Sequence, residues 1–339
     1  MMQVSFAPMK IVLLALPLLF VAIPDEMPIP ANAPGRVSAD NRFGWPGGYF
    51  EGRFKGSAVT VRVDTGGEPL RLLVDGIVRA TLVEPGESQF TVSGLAKGEH
   101  AVRLEKVTES QSGGPRFLGF YTKGIAIKAQ ARARQIEFIG DSHTVGYGNT
   151  SPVRECDGAK VRATTDTQLA FGPLAAKALD ADYRVIAYSG YGVVRNYAGK
   201  MPGENLPFLY PRAVPGDAAL MVADSKWQPR VIVINLGTND FSTALKPGEA
   251  WKDADALHTD YRAKYVTFIR SLKAAQPQAK FVLMAAANFA PDVADVAAQT
   301  GATMLRVPTL EVTGCNWHPS LKDHREMAAL VETAVAPLF

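Results

Sequence analysis

Little in this chain of 339 residues speaks for metal, nucleic-acid or membrane chemistry. It has two cysteines and five histidines, with no Cys-x-x-Cys or His-Glu-x-x-His pattern, so neither a metal site nor a cofactor is indicated. No block of five or more like charges occurs, and the net charge is only +3, which argues against a nucleic-acid partner. Long apolar runs are also lacking. Ile11 to Ile23 is too short for a comfortable membrane span, a membrane anchor being its plainer reading. It follows Lys10 and precedes Ala31-Asn32-Ala33, an order of charge, apolar run and small-x-small triplet that reads as an export leader. Residues 1–33 are therefore expected to be removed, leaving a periplasmic or secreted protein free of the membrane. The spacer from Pro24 to Pro30 also allows an earlier cut.

The remainder has two textures. Residues 34–130 carry short alternating runs, among them Val59–Val63, Leu72–Val74, Phe90–Val92 and Ala101–Leu104. Turn pairs such as Gly66-Gly67, Asp75-Gly76 and Lys97-Gly98 separate them, which predicts an all-β sandwich or jelly roll. Residues 131–339 alternate apolar strands with amphipathic helices. Val231–Ile234 and Phe281–Met284 read as strands buried on both faces. Tyr261, Tyr265, Phe268, Ile269 and Leu272 share one helical face. This half is expected to be a parallel sheet between helical layers, with its ligand site beyond the carboxyl ends of the strands.

Four blocks fall near those strand ends: Gly140-Asp141-Ser142-His143, Tyr188-Ser189-Gly190, Gly237-Thr238-Asn239-Asp240 and Trp317-His318-Pro319. Ser142 offers a hydroxyl and a backbone N–H, Gly190 an amide that approaches a substrate closely, and Asn239 a side-chain NH2. His318 is the candidate base, provided that it reaches Ser142. Each residue also has a plainer reading: a helix-capping serine, a turn glycine, a satisfied loop histidine. His143 competes as base, but as the serine's neighbour it is expected to point elsewhere. His324 on the last helix is expected to be structural, and Asp240 to support its loop. Ser142 does not sit in a Gly-x-Ser-x-Gly elbow, since Asp141 precedes it directly. Cys156 and Cys315 are either two small buried thiols or one bridge joining the serine's loop to the histidine's. A bridge closing about 160 residues contributes about 4–5 kcal/mol on the chain-entropy model.

These blocks resemble the SGNH/GDSL hydrolases. Gly146-Tyr147-Gly148-Asn149, Arg195-Asn196-Tyr197, Gly314-Cys315-Asn316-Trp317-His318-Pro319 and, further upstream, Phe43-Gly44-Trp45-Pro46, Leu95–His100 and Thr108-Glu109 resemble the family-2 carbohydrate esterases. The resemblance implies a jelly-roll domain before a flavodoxin-like SGNH domain and removal of O-acetyl groups from plant polysaccharides such as xylan and glucomannan, without a cofactor. It implies catalytic Ser142 and His318, an oxyanion hole of Ser142, Gly190 and Asn239, and Trp317 as a face for a sugar ring. Alone, Trp317 also reads as a loop anchor. Cys315 and Asn316 stand where the family commonly carries an acid partner for the base. A Ser–His dyad is therefore expected, with the Asn316 side-chain oxygen or a backbone carbonyl accepting from His318 Nδ1. Alternative readings are a glycan-binding protein without turnover and an esterase for lipids or small acyl esters.

Overall fold

The computed structural model describes residues 26–223 and 226–339. The apolar run Ile11–Ile23 and Lys10 lie outside the described residues. The N-terminal unit consists of β1 (Met27–Ile29), β2 (Tyr49–Gly56), β3 (Val59–Asp64), β4 (Leu70–Val74), β5 (Ile77–Leu82), β6 (Glu87–Val92), β7 (Gly98–Lys106), β8 (Arg116–Thr122) and β9 (Ile125–Ile127). One antiparallel sheet has the order β1-β8-β3-β6 and the other β5-β4-β7-β2-β9. This is the interleaved order of a jelly roll, with β9 added beside β2. Inward residues of both sheets, including Val61, Phe120, Phe54 and Leu104, form its core.

The start of this unit differs from the expectation. Met27–Ile29 pairs with Phe120–Thr122, and Ile29 is buried in the sandwich core. The all-β unit thus begins ahead of residue 34. A three-residue edge strand is too short to show an alternating pattern, and its apolar composition merges with the leader-like run before it.

The C-terminal unit is a parallel sheet of β10 (Arg134–Gly140), β11 (Ala181–Ala187), β12 (Val231–Asn235), β13 (Lys280–Ala285) and β14 (Thr303–Arg306), in the order β11-β10-β12-β13-β14. Its helices are α1 (Ser142–Val145), α2 (Gly158–Thr164), α3 (Phe171–Ala178), α4 (Leu206–Leu209), α5 (Thr238–Phe241), α6 (Ala254–Ala275), α7 (Ala290–Thr300) and α8 (Leu321–Val335). Tyr261, Tyr265, Phe268, Ile269 and Leu272 of α6 pack with α7 on one face of the sheet. Phe171, Ala175, Met327 and Val331 of α3 and α8 cover the other. Pro173, awkward in a helix interior, lies in the first turn of α3, where no intrahelical donor is lost. The chain reverses its direction of winding between β10 and β12. Open α/β sheets bind ligands at such a switch point, beyond the strands' carboxyl ends.

The two units are joined by buried polar contacts. Arg71 of the sandwich donates to both oxygens of Asp166, and Tyr49 Oη to Asp182 Oδ1 at 2.8 Å. Gln168 Nε2 donates to the carbonyls of Gly47 and Lys106. These directional contacts fix where the sandwich meets the second unit. Among the described residues no helix is long and apolar enough to cross a membrane.

Candidate active site

β10 ends in Gly140, where a side chain would collide with Thr144 Oγ1 at 2.0 Å, so the chain turns tightly into α1. Asp141, not Ser142, caps that helix: its side chain accepts from His143 N. The Ser142 hydroxyl is thereby left for other work. Ser142 is 5% exposed, and its Oγ lies 2.9 Å from His318 Nε2.

His318 Nδ1 lies 3.0 Å from the carbonyl oxygens of both Cys315 and Asn316. Carbonyls only accept, so Nδ1 carries the proton and the Nε2 lone pair faces the Ser142 hydroxyl. That tautomer is the one a general base requires. Burial holds His318 below its usual pKa, against the opposing pull of the two carbonyls. The Tyr147 ring packs 4.3 Å from the imidazole.

The Asn316 side chain, expected as one possible partner of His318, makes no hydrogen bond to it. Its Oδ1 accepts from Cys156 N, and its Nδ2 donates to Cys156 O at 3.2 Å and Tyr147 Oη at 3.4 Å. Of the two expected acceptors, the backbone carbonyl is the one that faces Nδ1. The reason is conformational: Asn316 (φ 51°) and Trp317 (φ 58°) are both left-handed. Such residues cost about 1–3 kcal/mol each and persist only where the surroundings over-determine them. Here the Cys156–Cys315 disulfide, with Cα atoms 5.4 Å apart, and the Arg154 guanidinium on the Glu311 and Val312 carbonyls strap the loop. The same turn leaves Trp317 57% exposed rather than anchored in the core.

Gly190 has φ 87°, a conformation that favours glycine. Neither its N–H nor that of Ser142 has an acceptor among the described residues. Asn239 Nδ2 donates to Asp141 Oδ2 at 3.2 Å and to the Tyr191 carbonyl at 3.0 Å, so serving an oxyanion requires sharing one of these protons. Burial raises Asp141 to about 7. Asp240 supports its loop: its carboxylate accepts the N–H groups of Val193, Val194 and Arg195, while burial raises it to about 6. The buried Arg195 guanidinium in turn pairs with Glu249 at 2.6 Å.

His143 turns away from the serine. Its ring meets that of His318 edge-on at 5.4 Å, and burial, with His318 beside it, lowers it to about 3. His324 is buried, accepts from Phe171 N through Nδ1, and makes no hydrogen bond to Ser142 or His318. Two contacts escape a reading of the sequence because they need the docked sandwich. Glu109 Oε2 accepts from Ser189 N at 2.8 Å, next to Gly190, and Tyr188 Oη donates to Gln111. Burial raises Glu109 to about 7. Among the described residues no group of three or more His, Cys, Asp or Glu is placed to hold a metal ion.

A hydroxyl paired to an imidazole of the useful tautomer, with free amides beside it, is equipped for acyl transfer. Residues 33–129 match the carbohydrate esterase 2 N-terminal family, and residues 138–334 the GDSL-like lipase/acylhydrolase family. The chain is 45% identical over 332 residues to an acetylxylan esterase/glucomannan deacetylase of Cellvibrio japonicus (strain Ueda107), covering 92% of each. The chain belongs to the family-2 carbohydrate esterases. A solved carbohydrate esterase, whose active site is said to display divergent catalytic and non-catalytic binding functions, superposes with TM-score 0.83. It is 43% identical, and the match covers 92% of this chain and 98% of that one. A family two carbohydrate esterase from Clostridium thermocellum in complex with cellohexaose superposes with TM-score 0.77 at 28% identity, over 91% of this chain and 98% of that one. As a family-2 carbohydrate esterase, the protein is a carboxylic ester hydrolase.

Proposed function

We propose that this chain is an exported esterase that removes O-acetyl groups from plant cell-wall polysaccharide or oligosaccharide, xylan or glucomannan, through a Ser142–His318 dyad. The observation that carries this reading is the 2.9 Å contact of Ser142 Oγ with His318 Nε2, with Nδ1 held by two carbonyls. Ser142 attacks the acetyl carbonyl as Nε2 takes its proton. The oxyanion is held by the Ser142 and Gly190 amides and Asn239. His318 returns the proton to the departing sugar oxygen, and water, activated by the same base, releases acetate. The exposed face of Trp317, and Tyr197 beside Gly190 and 49% exposed, offer apolar surfaces for pyranose rings. A disulfide accords with an oxidising compartment. Leader cleavage ahead of Met27 keeps β1 in the mature fold.

Acetate release from acetylated xylan and glucomannan tests the reading. Release from neither, nor from a small aryl acetate, leaves the glycan-binding alternative, to which the cellohexaose complex of the Clostridium relative lends support. Asn239→Ala is expected to lower kcat by about 10²–10³ with little change in KM, because the donor acts mainly on the developing oxyanion. Steady-state kinetics with an aryl acetate decide it; an unchanged kcat removes Asn239 from the hole. The pH profile is a further check. Only neutral His318 acts as base, and burial lowers its pKa from 6.5, so the acid limb of kcat/KM should have its midpoint below pH 6.5. A limb centred above pH 6.5 contradicts the buried base.

A further inference from the structure

Beyond His143 lies a cavity of about 480 Å³ that the acetyl-transfer chemistry does not use. It opens at the carboxyl ends of β12, β13 and β14, the edge where open α/β sheets bind ligands. Its floor is apolar, with Ala286, Val307, Leu310 and Met327. Six polar residues line it: His143, Asn235, Thr238, Asn288, Arg306 and Thr309. Two of them adjoin the dyad and its donors in sequence, since His143 follows Ser142 and Thr238 precedes Asn239.

Arg306 and Asn288 are exposed at the cavity's rim, and Asn235 is buried beneath them. Among the described residues the Arg306 guanidinium has no hydrogen bond or ion pair, and the ring nitrogens of His143 and the amide of Asn288 have no hydrogen bond. Asn235 Nδ2 has only a 3.5 Å contact with Thr144 Oγ1. Arg306 is the one ionised side chain in the wall, and no carboxylate lines it. A guanidinium with free donors matches a carboxylate bidentately, and neutral amides and a hydroxyl match sugar hydroxyls. The volume falls within the range of about 300–1,000 Å³ usual for small-ligand pockets. We infer that this cavity binds a carboxylate-bearing sugar residue, a uronate, through Arg306 and Asn288, and selects acetylated glycan that carries such a residue near the acetyl group. The selection, though not the binding itself, rests on the deacetylase reading above.

Two measurements test this, one of them independent of turnover. Methyl glucuronoside is titrated into the full mature protein and into Arg306→Ala, followed by NMR. Saturable shifts in the wild type that vanish in Arg306→Ala support the site; no saturable shifts in the wild type overturn it. Acetate that saturates the same signals as tightly overturns the assignment to a sugar. In the second measurement kcat/KM is compared on acetylated xylo-oligosaccharides with and without a glucuronate branch. The wild-type preference for the branched substrate is expected to fall about ten-fold in Arg306→Ala, to survive in part in Arg306→Lys, and to shrink with added salt. An identical preference in wild type and Arg306→Ala overturns the selection. Absence of acetate release from both substrates counts against the deacetylase reading alone, because the titration stands without it.

Discussion

Ser142→Ala is expected to lower acetate release by about 10⁴–10⁶-fold while the protein stays folded and continues to bind glycan. The size follows from how such groups act as a unit. In a well-studied serine protease, loss of the nucleophile alone costs about 2 × 10⁶ in kcat, nearly as much as loss of the whole triad. What survives there comes from oxyanion donors and binding. The same residue should be left here, since the Gly190 amide, the backbone N–H at position 142 and Asn239 all persist in the variant. The fold is not at risk from this change. The Ser142 hydroxyl has a single described partner, His318 Nε2, while Asp141 performs the capping of α1. Trp317 and Tyr197 are untouched, so affinity for an acetylated or deacetylated oligosaccharide should remain within a few-fold. Acetate release is read by enzyme-coupled assay, with calorimetric titration of oligosaccharide on the same preparations. A variant that still releases acetate within ten-fold of the wild type would falsify the serine mechanism. Equal glycan binding by both proteins with no release from either points to the glycan-binding alternative.

The parts of the site that could be read from the sequence are those set by local chain geometry. Ser142, Gly190 and Asn239 each follow a buried strand, and a run such as Val231–Ile234 announces its own end. The helical face of Tyr261, Tyr265 and Phe268 is visible because its period is intrinsic to the chain. Features fixed by tertiary docking were not legible. The group that orients His318 depends on two consecutive left-handed residues, and nothing in Cys315-Asn316-Trp317-His318 dictates which of Asn316's oxygens faces the imidazole. Glu109 reaches Ser189 only because the sandwich is clamped through Arg71 and Gln168 onto the second unit. The strand Met27–Ile29 is supported by pairing with β8 rather than by a pattern of its own. A role carried by one element is visible in its own residues, whereas a role shared by two distant segments is set by their packing.

Opening the disulfide should cost several kcal/mol of stability. Cys156 and Cys315 are 159 residues apart. A loop of that length restricts the unfolded chain by about 5 kcal/mol on the entropy model, and removal of native bridges costs about 2–5 kcal/mol in practice. At about 2–4 °C per kcal/mol for a domain of this size, the Cys156→Ser/Cys315→Ser protein should melt about 5–15 °C below the wild type. Reductant should lower the wild type toward the same value and leave the double variant unmoved. Activity should suffer less than stability. The loop keeps the Asn316 bonds to the Cys156 backbone and the Arg154 bonds to the Glu311 and Val312 carbonyls. These still favour the left-handed turn that presents two carbonyls to Nδ1. Weaker strapping should widen the range of imidazole orientations, which lowers kcat more than it raises KM, because alignment of the base matters most in the transition state. Scanning calorimetry of wild type and double variant, each with and without reductant, decides the stability part. Coincident melting of all four samples would show that the bridge contributes nothing, and that the side-chain strap holds the base loop unaided.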